Sequence, residues 1–181
     1  MADIGASLLS AFDSCWERFA TRLNGLDDAE YLWEPVEGCW SLRRDAEGWW
    51  RLDGLGIWPE PDPAPITTIA WRVGHIAGLA LGGFTDRLFG DGNLTPADVR
   101  FPGRASDVPA FCEENYRAWR VGMESIDDAR WHEPLGPAWA PYENSNTADL
   151  ALHVLDELTH HGAEVALLRD LYVRRDELSG D

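Results

Sequence analysis

Near the end of the chain runs His153-Val-Leu-Asp156-Glu157-Leu-Thr-His160-His161-Gly-Ala-Glu164, which gathers three of the five histidines and three carboxylates into little more than three helical turns. Positions i, i+4, i+7 and i+11 of a helix share a face, so His153, Glu157, His160 and Glu164 align, and His161 follows Glu157 by one turn. Imidazoles and carboxylates in such a row can ligate a divalent metal if a second helix adds a ligand. His75, far upstream in another amphipathic segment, is a suitable one.

Each residue also has a plainer reading. His161 sits between Leu158 and Val165 in the apolar stripe, where a neutral core histidine bonded to Glu157 would account for it. His75 borders the apolar side of its segment beside Gly74 and Gly78, where small neighbours leave room for a ligand or for a structural histidine. His160 pairs with Asp156 or Glu164 as an ordinary surface ion pair, and His153 with Glu157. His132 reads as an exposed loop residue. Glu164 either orients a ligand or is a solvated carboxylate, and Arg169, Asp170, Arg174 and Arg175 read as a charged helix end. The joint observation outweighs its parts: each of two helices brings an imidazole to the border of its core stripe.

Four segments of helical period must position these groups. Ile4, Leu8, Phe12, Cys15, Phe19 and Leu23 form the first stripe, with Gly25 as its stop. Ile69, Val73, Ile76, Ala80 and Phe84 form the second, after Thr67-Thr68. Its Gly74, Gly78, Gly82 and Gly83 are poor helix formers, and their spacing predicts close approach by another helix or a ligand. The third follows an N-cap at Ser106-Asp107 and runs from Val108 to Ile126. The fourth starts at Asn146-Thr147 and carries Leu150, Val154, Leu158, His161, Val165, Leu168 and Tyr172. The connection from Asp27 to Pro65 opens on a short turn that Asp27 can cap, with Glu30 three residues on. It holds Trp33, Trp40, Trp49, Trp50 and Trp58, which either plug one end of the core or line a cleft. Neither it nor the stretch from Asp127 to Asn144 shows strand alternation long enough for a sheet. The expected fold is an all-α, four-helix bundle with a long irregular crossover between helices 1 and 2, in a single domain over residues 1–181.

The formal charge of −17 argues against nucleic acid, whose phosphates need Lys and Arg, and against an anionic membrane surface. No run approaches the roughly 20 apolar residues of a membrane span. Cys15, Cys39 and Cys112 form no CxxC pair, which fits a reduced, cytoplasmic protein. Nothing local activates Cys39 as a nucleophile. The sequence carries no signal-peptide pattern, Walker loop, GxSxG or HExxH.

Three stretches carry a resemblance: Trp33-Glu-Pro-Val-Glu-Gly-Cys-Trp-Ser, Trp71-Arg-Val-Gly-His75-Ile-Ala, and His153 through Asp170. From the first helix to about Tyr172 the chain resembles the DinB/YfiT-like superfamily, nearest the members related to mycothiol-dependent enzymes. The resemblance implies a frequently dimeric four-helix bundle. It also implies a divalent metal held by three histidines, one on the second helix and two, four residues apart, on the last. His75 and His161 match the outer positions, and Glu157 stands where the family has its middle histidine. Two histidines and a carboxylate remain a sound ligand set for zinc, nickel, iron or manganese. By the same resemblance, Glu164 and His160 would act in proton transfer or ligand orientation, and Trp40 and Trp71 would lie on the cofactor-binding side. The implied activity is a thiol S-transferase or detoxification enzyme that joins a low-molecular-weight thiol to a small electrophile. The alternatives are a non-catalytic bundle whose Trp-rich pocket binds an apolar ligand or partner, and a metal-dependent hydrolase.

Overall fold

A computed structural model describes residues 4–57, 59 and 61–178 of the chain, which leaves Trp58 outside the described residues. The fold is mostly helical. Helix α1 (Ile4–Leu23) is followed by the short α2 (Asp28–Tyr31). A second long helical stretch comprises α3 (Ile69–Val73), a π-helical segment (Gly74–Gly83) and α4 (Phe84–Phe89). Then come α5 (Val108–Glu124), α6 (Thr147–Val173) and the terminal turn α7 (Arg175–Leu178). Helix α1 packs on α5 and α6, and the π segment packs on both as well. Phe12, Ile69, Val73, Ile76, Leu81, Val108, Trp119, Val154, Leu158 and Val165 meet in one buried cluster. Among the described residues no helix is long and apolar enough to cross a membrane.

The crossover is more ordered than its sequence suggests. Strands β1 (Leu42–Arg44) and β2 (Trp50–Leu52) pair antiparallel, Leu42 opposite Leu52. Three residues per strand are too few to show an alternating pattern, so the turn carries the information. The Asp45 carboxylate accepts from Trp49 N–H at 2.8 Å, and Gly48 supplies a φ of +86°. Beside the hairpin, Trp40 donates to Ile66 O and accepts from Thr68 N–H, both at 2.9 Å. Thr68 then caps α3 by accepting from Trp71 N–H at 3.2 Å, which fixes the start of the helix that bears His75.

That helix is not the regular α-helix its periodicity predicts. Ten residues wind with i→i+5 bonds, a geometry that is rare and found mostly as single turns. Glycines hold the α conformation weakly, so packing decides the winding. A Cβ at Gly74 would stand 2.9 Å from Leu52 Cδ2, and one at Gly78 would stand 3.0 Å from both Phe101 and Val99. The glycines thus serve approach by the 99–101 segment, the hairpin and α5. Gly78→Ala is expected to lower stability by about 1–3 kcal/mol through overpacking, despite alanine's better helix propensity. A raised or unchanged midpoint in a denaturant titration would contradict this account. Burial nearly surrounds the segment, leaving only His75, Leu79 and Gly83 half-buried.

Other ends and pairs differ from the sequence reading. Helix α5 is preceded by a 3-10 turn over Ala105–Asp107, and Asp107 makes no capping bond. Asn146 does cap α6, in a reciprocal box with Asp149. Asp27 caps α2, but the Glu30 side chain turns away to Arg169, which therefore belongs to a buried ion pair and not to a solvated helix end. On α6 the core step expected of His161 is taken by Gly162, whose Cβ position lies 3.5 Å from Phe19 of α1. Trp119 and Trp131 are fully buried in the core.

Candidate metal centre

The turn of α6 at Glu157–His161 lies against the α3 end of the π segment, and three donor atoms converge there. His75 Nε2 is 2.8 Å from Glu157 Oε2, and His161 Nε2 is 3.2 Å from the same oxygen. The three ligand atoms lie within 4.8 Å of one another. Donors held at about 2.0–2.1 Å by one ion stand roughly 3.0–3.4 Å apart, so the spacing suits a shared divalent cation. All three side chains are partly accessible, between 14% and 26%, and the cluster opens to a cavity.

The tautomer of His161 follows from its surroundings. Its Nδ1 is 2.6 Å from Glu164 Oε2, a contact that requires the proton on Nδ1. The Arg72 guanidinium also lies 3.0 Å from Nδ1, but an Nδ1 that donates to a carboxylate cannot accept, so this second contact is proximity. Arg72 instead binds Glu164 through Nε at 2.8 Å. Nε2 then faces Glu157 with a lone pair, unless a cation stands between them. That cation is a second proton or a metal. Burial pulls the His161 pKa down, but the bonds to Glu157 and Glu164 outweigh it and leave it raised. The hydrogen bond from His161, then the one from His75, hold Glu157 far below the usual carboxylate range.

Outside the ligand atoms, Trp71 stacks on His75 with rings 5.1 Å apart and 8° from parallel, while its Nε1–H donates to Asp53 O at 2.9 Å. Trp40 packs on Trp71 at 6.0 Å. The two tryptophans thus back the imidazole from the hairpin side. His160 lies on the outer rim with 60% of its side chain exposed, and its Nε2 is 3.4 Å from Glu164 Oε1. With His161 and Glu164 it forms a second group of closely spaced ligand atoms, more exposed than the first.

His153 does not behave as a simple partner of Glu157. Its Nε2 is 3.7 Å from Glu157 Oε1 but 3.0 Å from the Tyr142 hydroxyl. His153, Tyr142 and Phe84 form one wall of a cavity of about 320 Å³ that reaches His75 and Glu157. Among the described residues no tryptophan lines this cavity, so the described tryptophans do not make it the expected Trp-rich cleft. Sequence reasoning missed Arg72 and Tyr142. Arg72, three residues before His75, was available from i,i+3 spacing on the same helix. Tyr142 sits in an irregular stretch and had no such signal.

The protein is mostly helical, and the two imidazoles and the carboxylate that converge between its helices could hold a metal ion from side chains of facing helices. The chain matches the family model of the DinB superfamily over residues 11–165, and it belongs to that superfamily. Comparison with curated proteins found no match, and comparison with solved structures found none.

Proposed function

We propose that the chain is a divalent-metal-dependent thiol S-transferase, a four-helix bundle of the DinB type in one domain that joins a low-molecular-weight thiol to a small electrophile. The observation that carries this reading is His161 held between two carboxylates. Glu164 accepts a hydrogen bond from Nδ1–H and turns Nε2 toward Glu157 and His75, the arrangement that orients a metal-bound histidine. His75 Nε2, Glu157 Oε2 and His161 Nε2 would be the ligands, and the set accepts zinc, nickel, iron or manganese. When bound, such an ion lowers the pKa of a coordinated thiol and offsets developing negative charge. Trp71 and Asp53 fix the plane of His75, and Arg72 fixes Glu164. Glu164 and His160, 3.4 Å apart on the rim, would take the thiol proton and pass it to solvent. The new C–S bond forms as the leaving group departs with its electron pair, or as the electron pair of a double bond moves onto the electrophile.

The test is a screen of metal-loaded protein with thiols and compact electrophiles, beside Glu157→Ala. Metal-dependent thioether formation by wild type, reduced at least 100-fold in the variant, is expected. Hydrolysis of ester substrates without thiol would instead make the chain a metal-dependent hydrolase.

One observation favours a second reading, a non-catalytic bundle. His75, Glu157, His161 and Glu164 already satisfy one another by hydrogen bonds, so the group is stable as a protonated network. Protein that takes up no divalent metal on reconstitution would establish that reading.

A further inference from the structure

Another cavity, of about 500 Å³, lies between the β1–β2 hairpin, the 100–104 segment and α5. Its size is within the range of small-ligand sites, about 300 to 1,000 Å³. It shares no lining residue with the metal centre, so what it holds is separate from thiol transfer. Packing fixes its apolar floor. The Phe101 and Phe111 ring centroids stand 6.5 Å apart, and Phe101 is buried against Gly74 and Gly78 of the π segment. The Trp50 indole lies so close on the Gly103 backbone that a side chain at that position would collide with it.

Charge around this floor is divided by element. Arg44 comes from β1, and Arg100 and Arg104 come from the segment before α5. Asp107 and Glu114 come from the α5 side. All five line one cavity, yet among the described residues none of the arginines pairs with either carboxylate. Arg104 reaches only Asp28, at 3.9 Å and largely in solvent.

Arg44 and Arg100 instead lie on tryptophan faces, with Cζ 4.9 Å from the Trp50 ring centroid and 4.2 Å from that of Trp49. A stacked guanidinium is held by its face and keeps its in-plane N–H donors for a carboxylate or phosphate. Arg100 uses one of them on Ala97 O, at 3.3 Å. Asp98 also lies in the field of Arg100, but its carboxylate is bound by the Thr95 N–H at 3.0 Å and hydroxyl at 2.6 Å. Across the floor, the Asp107 side chain accepts only from the Ser106 hydroxyl, at 3.3 Å. Glu114 is exposed and has no hydrogen bond or ion pair among the described residues. Opposite charges held apart over an apolar floor suit a ligand that carries both. The net charge of −17 does not decide against its anionic end. At physiological ionic strength charges beyond about 8 Å are screened, so a ligand in the cavity responds mainly to the groups that line it.

We propose that this cavity binds a small zwitterion, with an anionic group on Arg44 and Arg100, a cationic group on Asp107 and Glu114, and a flat apolar body between them on Phe101, Phe111 and Trp50.

The probes are para-aminomethylbenzoate, which carries a carboxylate and an ammonium at opposite ends of one ring, and benzoate and benzylamine, which carry one each. Dissociation constants for the full-length chain are measured by NMR titration at physiological ionic strength. The zwitterion is expected to bind about fivefold tighter than either single-charge probe, the upper end for an ion pair at an open site. Asp107→Asn with Glu114→Gln should erase the advantage over benzoate and leave benzoate binding equal or tighter. Arg44→Ala with Arg100→Ala should erase the advantage over benzylamine and leave benzylamine binding equal or tighter. All four side chains are exposed, and circular dichroism checks that both variants fold. Neither variant touches the metal centre, so binding there would survive both. An advantage below about twofold, binding of none of the probes, or an advantage that survives either variant overturns the proposal.

Discussion

His161→Ala is expected to empty the metal centre. Protein purified without an affinity tag and reconstituted with zinc, nickel, iron or manganese should hold near-stoichiometric metal in the wild type and almost none in the variant, as read by elemental analysis. Loss of an outer partner that merely orients a ligand costs about 10–100-fold in affinity, so loss of a ligand should exceed that. The cost in packing is small, because His161 lies at the edge of the core and its neighbour Gly162 makes the contact with α1. Wild-type protein that retains no metal, or a variant that retains all of it, would refute the ligand assignment.

The pH dependence of this effect has a definite sign. Without metal, His161 has a raised pKa, so its bonds to the two carboxylates stabilise the fold fully below the ordinary value of 6.5 and lose that contribution as pH rises through the folded pKa. Glu157 has a lowered pKa, so its contribution is present above the ordinary value of 4.5 and is lost only as pH falls toward the folded value. The metal-free pair is therefore strongest between those two ordinary values. A metal competes with the proton on His161 Nε2, so metal binding strengthens as pH rises. The melting temperature gained on adding metal should be small at pH 5.5 and larger at pH 8. A gain that shrinks with rising pH would mean that the bound ion uses other ligands.

How much of this was legible in the sequence depends on how local the signal is. Glu157 and His161 are one helical turn apart, and the capping box at Asn146 fixes where that helix begins, so their shared face could be read directly. His75 could be read as a border residue, but not its contact with Glu157, which depends on a π segment whose winding breaks the 3.6-residue period. Trp40 and Trp71 were visible as residues but not as a stack behind His75. That stack requires the β1–β2 hairpin to place Asp53 O, and strands of three residues carry no pattern. Tyr142 was out of reach for a related reason. Its position against His153 is set by the fold of an irregular connection, in which Leu135 N–H bonds Ser145 O at 2.9 Å to bring the stretch back to α6.

The same distinction between local and distant signals governs the largest expected loss of stability, at Glu30. Glu30 and Arg169 are 139 positions apart, and each has a sufficient local explanation: one follows a cap, the other lies near a helix end. In the fold they form a fork, Arg169 Nε to Oε1 at 2.8 Å and Nη2 to Oε2 at 3.0 Å, with only 5% of Glu30 exposed. Arg169 also donates to Asn24 O at 2.8 Å and to Arg22 O, so its charge lies at the C-terminal end of α1, where the helix dipole favours a cation. One guanidinium thus ties α6 to α1 and α2. Glu30→Ala leaves that charge buried beside two carbonyls without its carboxylate, a change that typically costs about 3–5 kcal/mol. For a chain of this size the loss corresponds to roughly 6–20 °C in melting temperature, at about 2–4 °C per kcal/mol. Arg169→Ala should cost at least as much, because it strands the Glu30 carboxylate and removes the donor to the Arg22 and Asn24 carbonyls. The double variant Glu30→Ala, Arg169→Ala should lose clearly less than the sum of the single losses, since neither charge is then left unpaired. Losses below about 1 kcal/mol in both single variants, the range of exposed pairs, would show that water reaches the fork and that α6 is held to α1 by its apolar face alone.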